Sequence, residues 1–303
     1  MTDIVRPDPQ LTFSDNADEW RRTLTKEQYV KREILLENRC SKQYWAVQVD
    51  DEIVAHCRAI SRPAICNGEE LAEACIGNVF TKPSHRGNGY ASKLLNHVRS
   101  ELCKDHALVT LWSDVGEYYS RFGFTTYPDT STAFISVSNV PANVPTQATF
   151  IPEGKIAEYT EIHKKALFRV LAKDEIAVIP TPEYYLHWVD ECRTNGEILN
   201  VNIPDIYGAT YKDSWCLWIY NLGRDCSLSI LAMSDPCDEL INAAKQVAHS
   251  LGIKVIELYA DSLLTGNLSQ LDSHGVEILA RKGSLPMYIS DYKWVKAGKY
   301  SWF

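Results

Sequence analysis

The 303-residue sequence predicts an α/β fold in which a mixed, mostly antiparallel sheet is flanked by helices, with a second domain of related topology. Three observations support this prediction. Short apolar runs alternate with helical periodicities in both halves of the chain. The order of elements is similar in the two halves: helices, hairpin, strand, helix, strand. Between the halves, residues 138–147 contain two prolines and two asparagines, which interrupt every period.

The first half begins with a short strand expected over residues 11–14. A helical stretch follows over 20–38 and is broken near Thr25, a candidate N-cap with Gln28 at the capping-box position. The later elements are predicted as a hairpin over 44–49 and 53–60, a loop over 61–72, a strand over 75–81, a helix over 90–104, a strand over 107–112 and a short helix over 117–122.

The second half repeats this order after the interruption at 138–147. Its predicted helices cover 154–171, 181–195 and 236–251. Its predicted strands cover 148–151, 215–221, 227–233, 253–260, 276–281 and 286–290. The aromatic carboxy-terminal residues 300–303 are expected to pack against the domain seam.

The composition excludes several classes of protein. There are 39 acidic and 31 basic side chains, a net charge of −8, whereas a nucleic-acid-binding chain usually carries a basic patch. No apolar run reaches the roughly 18 residues of a membrane-spanning helix, and the acidic first 20 residues predict no secretory signal. The nine cysteines include no CxxC pair, which argues against a disulfide framework or a metal site and predicts a reducing, cytoplasmic location.

The segment from Val79 to Ala91 carries the strongest chemical signal. A strand ends at Thr81, and the glycine-rich turn Arg86-Gly87-Asn88-Gly89 opens directly into a helix. Glycines permit a left-handed backbone and close approach of a ligand, while the first N–H groups of a helix attract anions. The sequence therefore predicts a phosphate or pyrophosphate cradle, with a local basic spot around Arg86 in an otherwise acidic protein.

Two common phosphate-binding motifs do not fit this turn. The GxxxxGK[ST] pattern of a P-loop is missing, and a dinucleotide fingerprint needs a third glycine after the first strand of a βαβ unit. A second segment, Tyr119-Ser120-Arg121-Phe122-Gly123-Phe124, follows the next strand. Together, the RGxGxA turn at 86–91 and this YxxxGF segment resemble the GCN5-related N-acetyltransferase (GNAT) superfamily.

The resemblance implies both a GNAT fold and a ligand, acetyl-CoA. In that superfamily the RGxGxA turn binds the pyrophosphate, the strand before it diverges from the next strand, and the pantetheine arm lies in the gap. The family pattern has Gln or Arg where this chain has Ser84, which weakens one contact. Carried over to this chain, the cofactor-binding residues are Val79, Phe80, Thr81, Ser84, His85, Arg86, Gly87, Asn88, Gly89, Tyr90 and Ala91.

A narrower similarity is to the fungal lysine N6-acetyltransferases. That family joins an N-terminal acetyltransferase domain to a degenerate C-terminal domain of similar fold, which implies domains over 1–137 and 148–303 with a linker over 138–147. In the second half, Asp235-Pro236-Cys237-Asp238 stands where a glycine-rich turn would be, so we expect no CoA binding there. The similarity rests on Trp20, residues 24–29, Arg32-Glu33, residues 79–81 and residues 113–116.

The reaction that the resemblance implies needs a general acid and a general base. Tyr119 lies where the family's acid stands, and its phenol can protonate a leaving thiolate; Tyr118 is the alternative. The base is left open between Glu73, His56 and Asp114, acting directly or through water.

An acceptor site needs groups that bind the amine substrate. Arg32 and Glu33 lie on the second predicted helix and are the candidate substrate-binding pair, because Arg recognises a carboxylate with two hydrogen bonds. His56, inside a strand, is counted with them. Trp215, Trp218 and Tyr220 in the second half could wall the same pocket, or could simply be core.

The predicted function is acetyl-CoA-dependent N-acetylation of an amine by direct transfer in a ternary complex. Neither the glycine-rich turn nor the Tyr119 segment contains a cysteine that could form an acyl-enzyme. The best substrate is the ε-amine of free L-lysine, which would place the enzyme in lysine metabolism. Two alternatives stay open: another amine, such as a polyamine or a protein lysine, and a non-catalytic acyl-CoA-binding module. The acidic net charge suits any cationic acceptor.

Overall fold

The computed structural model describes residues 2–37, 40–128, 131–137, 146–223, 226–274, 276–280, 285–298 and 300. These residues form two mixed sheets and the helices that pack on them. No helix in the described ranges is long and apolar enough to cross a bilayer. The helices are α1 (Pro9–Trp20), α2 (Lys26–Leu36), α3 (Tyr90–Asp105), α4 (Ile156–Val170), α5 (Pro182–Leu199) and α6 (Asp238–Ser250).

Most strands of the first sheet come from the first half of the chain. They are β1 (Thr2–Val5), β2 (Lys42–Val49), β3 (Glu52–Cys66), β4 (Glu69–Thr81), β5 (Leu108–Ser113), β6 (Thr125–Thr126), β9 (Glu175–Val178), β15 (Leu285–Ile289) and β16 (Lys293–Trp294). Their order is β1-β2-β3-β4-β5-β15-β6. The sheet is extended by β9, which pairs with the end of β3, and by β16, which pairs with β9.

Strands of the second sheet come mainly from the second half. They are β7 (Ser131–Ser136), β8 (Thr149–Phe150), β10 (Gly208–Tyr211), β11 (Ser214–Asn221), β12 (Ser227–Met233), β13 (Val255–Tyr259) and β14 (Val276–Ala280). Their order is β8-β10-β11-β12-β13-β7-β14.

The two sheets share one topology. Each has four antiparallel strands, then a helix, then a strand parallel to the fourth. The helix is α3 between β4 and β5 in the first sheet, and α6 between β12 and β13 in the second. The next strand is antiparallel in both sheets. The predicted α/β fold with a second domain of related topology is confirmed.

Each half contributes strands to the sheet of the other half, and two of these strands lie in corresponding places. From the end of the chain, β15 enters the first sheet between β5 and β6, while β7, which precedes the 138–147 segment, enters the second sheet between β13 and β14. Each sheet therefore needs a strand from across the predicted boundary between 1–137 and 148–303. Residues 138–145 of the predicted linker lie outside the described residues, so that division of the chain stays a prediction.

The strand predicted over residues 11–14 is wrong, because these residues lie inside α1. Asp8 caps this helix by accepting a hydrogen bond from the Gln10 N–H. Pro9 takes the first helical position, where its fixed φ is favourable and its missing N–H costs nothing. Phe13 and Ala17, one turn apart, are then both buried. The capping box predicted for the next helix, α2, is confirmed: Thr25 and Gln28 exchange backbone and side-chain hydrogen bonds.

The loop predicted over residues 61–72 is also wrong, since β3 and β4 continue through it as a long hairpin. The turn is only Asn67-Gly68, and both residues have positive φ values, 53° and 81°, as in the tight turns that join twisted strands. Pro63, which suggested a break, lies where β3 has one partner strand: β2 ends opposite Ile60 and β9 begins opposite Ala64. Such one-sided pairing tolerates a missing N–H.

A buried ion pair links β3 to β4 beneath α5. The Arg62 guanidinium donates two hydrogen bonds of 2.8 Å to the Glu73 carboxylate, which also accepts from the Thr110 hydroxyl on β5. The Glu73 side chain is fully buried. Tyr184 on α5 places its ring 4.9 Å from the guanidinium carbon. Because every charge has a partner here, the group holds three strands and a helix of the second half in one arrangement.

Breaking this ion pair should destabilise the chain. We expect Glu73→Ala to lower the free energy of unfolding by about 3–5 kcal/mol, since it leaves a buried guanidinium uncompensated. Urea unfolding followed by circular dichroism measures the loss. Glu70→Ala is the matched control, because Glu70 pairs with Lys164 at the surface, where 60% and 30% of the side chains are exposed, and such pairs contribute about 0–1 kcal/mol. Equal losses in the two variants would contradict the prediction.

Candidate functional site

An open cleft of about 920 Å³ lies where β4 and β5 end. Its walls are the end of α1, the last residues of β4, the turn before α3 and the segment after β5. Of the predicted cofactor-binding residues, Ser84 and Asn88 lie in the turn without lining the cleft. The others all line it: Val79, Phe80, Thr81, His85, Arg86, Gly87, Gly89, Tyr90 and Ala91.

The cleft exists because β4 and β5 separate. The two strands pair in parallel from Glu73 with Leu108 to Ile76 with Leu111, and their pairing stops there although both strands continue. On its other edge β4 contains a bulge, since Phe80 pairs with His56 but Gly77 pairs with Arg58. Within the bulge Asn78 has a φ of 51°. Residues 77–81 therefore have an edge that β5 does not cover.

The glycine-rich turn forms one end of the cleft. Gly87 and Gly89 have φ values of 84° and 79°, and Gly89 is the N-cap of α3 with no side-chain cap. No atom lies within 4 Å of a Cβ placed on either glycine. The first N–H groups of α3 have no capping side chain to receive them, which leaves them available to an anion such as a pyrophosphate.

The predicted basic spot around Arg86 is present, but its charges are paired with acids. Arg86 donates to the Glu19 carboxylate at 2.7 Å and to the Thr81 carbonyl at 3.1 Å. Lys82 lies 2.9 Å from the Glu52 carboxylate and 3.4 Å from that of Asp15. The spot is therefore a group of alternating charges rather than an uncompensated basic patch.

Tyr119 lies on the opposite wall of the cleft, in the short 3₁₀ segment Gly116–Phe122. Its side chain is 8% exposed, and its ring packs edge-on against that of Tyr118 at 5.2 Å. Burial, followed by the nearby Tyr118, Cys57 and Asp114, raises the pKa of Tyr119 well above its usual value. The phenol therefore keeps its proton throughout the neutral range and can act as an acid.

The three candidates for the base are placed apart. Asp114 lines the cleft and is exposed. Glu73 does not line it, because its carboxylate is held by Arg62 within the sheet. His56 is buried behind Phe80, with ring centres 5.4 Å apart, and burial together with Arg58 and Lys82 lowers its pKa to about 4. The structure thus brings Asp114, but neither Glu73 nor His56, to the cleft.

A second, smaller cavity of about 50 Å³ lies beside the cleft. Trp20 lines both spaces, and the cavity reaches the β4 bulge at Asn78. Arg32 and Glu33 on α2, the predicted substrate pair, both line the cavity. Its remaining charged or polar lining comes from Lys42 on β2, Arg58 on β3, and His187 and Glu191 on α5.

Charges in the cavity are close and buried. Glu33 accepts from Arg32 at 2.9 Å and from Arg58 at 2.9 Å, and these two guanidinium groups lower the pKa of Glu33 to about 2 although burial opposes them. Glu191 lies 3.8 Å from Arg32. Burial lowers the pKa of His187 to about 4, so its ring is neutral at pH 7. In the described part of the chain, Arg32 Nη1 and His187 Nδ1 have no hydrogen-bond partner.

Sequence reasoning missed most of this cavity. Arg58 follows His56 by two residues on β3, and that spacing places both on one face of the sheet. His187 and Glu191 are separated by one helical turn on α5, but their approach to α2 depends on the packing of the two halves and leaves no local signal. Asn78 gives none either, since the bulge is visible only from the strand pairing.

Comparison with known families identifies the first half. Residues 10–127 match the sequence model of an acetyltransferase (GNAT) domain. Over these residues the chain is similar to GNAT acetyltransferase domains. This match contains the diverging strands, the glycine-rich turn and the Tyr119 segment, so the GNAT resemblance of the sequence is confirmed together with the fold it implied.

Individual proteins are also similar to this chain, and some of these similarities cover both halves. An uncharacterized protein of Saccharomyces cerevisiae is 30% identical over 39% of this chain and 42% of its own length, so the chain spans less than half of that relative. A protein of Yarrowia lipolytica named lysine acetyltransferase is 24% identical over 81% of this chain and 79% of its own length. A solved tandem GNAT protein from the clavulanic acid biosynthesis pathway has a TM-score of 0.52 at 11% identity, covering 95% of this chain and 98% of its own. That likeness shows a tandem GNAT fold.

In the second GNAT-like half, the parallel pairing of β12 with β13 also stops before both strands end, at Ile230 with Leu258, but the chain itself fills the opening. The residues after β13 return to β12: Leu264 donates to the Met233 carbonyl at 2.9 Å and Thr265 to the Ser234 carbonyl at 3.0 Å. Backbone groups at this edge are therefore satisfied within the chain.

Among the described residues, no group of three or more His, Cys, Asp or Glu is placed to hold a metal ion.

Loss of a glycine in the GNAT turn should weaken cofactor binding more than it destabilises the fold. Gly87→Ala must force a side chain into a left-handed backbone at a cost of about 1–2 kcal/mol or turn an N–H away from its anion. We expect acetyl-CoA affinity to fall about tenfold or more, since a hydrogen bond to a charged group contributes about 1.5–3 kcal/mol. Isothermal titration calorimetry measures it.

Gly68→Ala provides the matched control for that variant. Gly68 has a φ of 81° and equally open surroundings, but it lies in the β3–β4 turn away from the cleft. Both variants should unfold at similarly reduced temperatures, while only Gly87→Ala loses affinity. Similar acetyl-CoA binding by the two variants would exclude the turn at 86–89 as the phosphate cradle.

Proposed function

We propose that this chain is an acetyl-CoA-dependent N-acetyltransferase that transfers the acetyl group directly to an amine in a ternary complex. The observation that carries the proposal is one cleft that contains three features together: the uncovered edge of β4, the glycine-rich N-terminus of α3, and the protonated phenol of Tyr119. A thioester donor with a phosphate-bearing tail matches these features, with its phosphates at α3, its pantetheine arm along β4 and its thioester near Tyr119.

Acetyl-CoA is a substrate here, and it supplies the acetyl group as a thioester. Its pyrophosphate fits the N–H groups of the turn at 86–89, with Arg86 beside it. Val79 and Thr81 can offer backbone N–H and C=O groups on the uncovered edge of β4 to the pantetheine amides. Phe80, 5% exposed, supplies apolar contact on the same strand.

Direct transfer is supported by the positions of the cysteines. Of the described residues that line the cleft, none is a cysteine. Cys57 and Cys75 are fully buried in the GNAT sheet, and burial raises their pKa values to about 12 and about 11. Such thiols are protonated at neutral pH and are poor nucleophiles. An acyl-enzyme is therefore disfavoured, and the amine itself attacks the thioester carbon.

The reaction needs a base and an acid, and we assign these roles to two residues of the cleft. The attacking amine must first be neutral, and Asp114 is the predicted base that lies in the cleft, where its exposed carboxylate can take the proton through water. When the carbon–sulfur bond breaks, the electron pair leaves on sulfur, and Tyr119 donates its proton to the thiolate. The nitrogen sheds its second proton as it becomes an amide, and that proton returns through water to the Tyr119 phenolate. The raised pKa of Tyr119 keeps that proton in place until it is needed.

Tyr119→Phe should lower kcat by about a hundredfold or more, the range of general acid catalysis, with little change in acetyl-CoA affinity. In the wild type, kcat should rise with pH as the acceptor amine loses its proton. It should not decline at any pH up to about 10, the usual tyrosine pKa. Thiol release against pH measures both. Tyr118→Phe is the control, and a larger loss there would transfer the acid role to Tyr118.

The acceptor that we propose is the ε-amine of free L-lysine. The smaller cavity beside the cleft contains Arg32, whose Nη1 has no hydrogen-bond partner in the described part of the chain, and the carboxylates of Glu33 and Glu191. An amino acid head group has one carboxylate and one ammonium, which are complementary to these groups. The similar Yarrowia lipolytica protein is named lysine acetyltransferase, which supports the same assignment.

Entry of lysine requires the cavity to enlarge. Its volume of about 50 Å³ is little more than the roughly 30 Å³ that one water occupies in the liquid. Trp20 separates the cavity from the cleft and is only partly buried. A shift of its indole ring would join the two spaces, with the head group on Arg32 and the amine towards the β4 bulge.

A panel of amines separates this acceptor from the alternatives. L-Lysine should be acetylated far faster than cadaverine, which has the same ε-amine without the carboxylate, and faster than a lysine-containing peptide. Arg32→Gln should raise KM for lysine about tenfold, because a hydrogen bond between charged groups contributes about 1.5–3 kcal/mol, and leave cadaverine unchanged. Arg21→Gln is the control, because Arg21 is 43% exposed and pairs with Asp18 outside both the cleft and the cavity.

The outcomes of the panel are distinct. Preference for cadaverine or spermidine would establish a polyamine acceptor, and preference for the peptide would establish a protein lysine. CoA binding without thiol release from any amine would overturn the enzyme proposal in favour of an acyl-CoA-binding module.

A further inference from the structure

The phosphate end of the cleft contains an acid that binding of an anion does not need. Glu19, near the end of α1, lines the cleft and accepts a 2.7 Å hydrogen bond from Arg86 Nη2. Both side chains are about half exposed, 49% and 52%. Asp15 and Glu52, the other acids of this region, face Lys82 and do not line the cleft. Glu19 is therefore the carboxylate that a bound phosphate would meet beside the turn.

Arg86 cannot serve Glu19 and a phosphate equally. Its Nε donates to the Thr81 carbonyl, which fixes the guanidinium at the end of β4. Of its outer nitrogens, Nη2 donates to Glu19, so the Glu19 carboxylate lies where a phosphate would approach Arg86. A phosphate that enters must either displace the carboxylate from Arg86 or lie beside a second negative charge, and both lower its affinity.

We propose that Glu19 competes with the phosphates of acetyl-CoA and CoA for Arg86, and so limits how tightly the cleft holds the donor and its product. The inference rests on the proposed function, because it assumes that the phosphates bind at the turn. The competition weakens CoA together with acetyl-CoA, which favours release of CoA after transfer. Glu19 is thus an affinity-setting residue that does not take part in the acetyl transfer.

Calorimetric titration of Glu19→Gln tests the proposal. The amide keeps the size of the side chain and an oxygen for Arg86 but removes the charge. We expect CoA and acetyl-CoA to bind about fivefold more tightly, since two charges about 4 Å apart in water interact by about 1 kcal/mol. S-Acetylpantetheine, which has no phosphate, should bind with unchanged affinity. Asp18→Asn is the matched control, because Asp18 precedes Glu19 on α1, pairs with Arg21, and is 78% exposed.

A double-mutant cycle separates competition for Arg86 from a general charge effect. In an Arg86→Gln background, Glu19→Gln should no longer tighten CoA binding. The proposal is overturned if Glu19→Gln leaves CoA binding unchanged or weaker, if S-acetylpantetheine gains equally, or if the gain persists without Arg86. Failure of the wild type to bind CoA at all would instead overturn the proposed function, so the two failures are distinguishable.

Discussion

Separation of β4 from β5 is the constraint on which the rest of the site depends. Paired parallel strands normally continue their hydrogen bonds along their length. The gap between β4 and β5 therefore depends on contacts at both of its ends. Below it, the buried pair of Arg62 and Glu73, joined by Thr110, ties β3, β4 and β5 together. Above it, the bulge at Asn78 bends β4 away, and the 3₁₀ segment with Tyr119 follows β5. The cleft is the space between β4 and β5 beyond the point where the Arg62–Glu73 pair holds them together and where the bulge at Asn78 bends β4.

In the second sheet, the corresponding opening between parallel strands is filled by the chain itself. This sheet repeats the strand order and the crossing helix, but Leu264 and Thr265 return to hydrogen-bond the end of β12. The groups that a pantetheine arm would use are consumed by the chain itself. The helix that follows begins at Asp238 with acidic residues in its first turn, which repel an anion. The second half packs against the first through the exchanged strands and through α5.

The contribution of α5 explains why the first half alone does not form the small cavity beside the cleft. Arg32, Glu33 and Arg58 come from the GNAT domain and hold each other in a nearly balanced set of charges. His187 and Glu191 close the cavity from the other half. The exchanged strands β7 and β15 bind the halves to one another, so the cavity is shaped by the same contacts that complete both sheets.

Sequence reasoning predicted those parts of the molecule whose role depends on local backbone geometry. The glycines of the turn, the Tyr119 segment and the Thr25 capping box all act within a few residues of their own position. Glu73 is a candidate base in the sequence because nothing near it in the chain shows which residue its carboxylate contacts. Only the pairing of β3 with β4 places Arg62 opposite it. Charged residues that act across the fold are thus ambiguous in sequence. Their roles follow from which charge the sheet register and the domain packing place beside them.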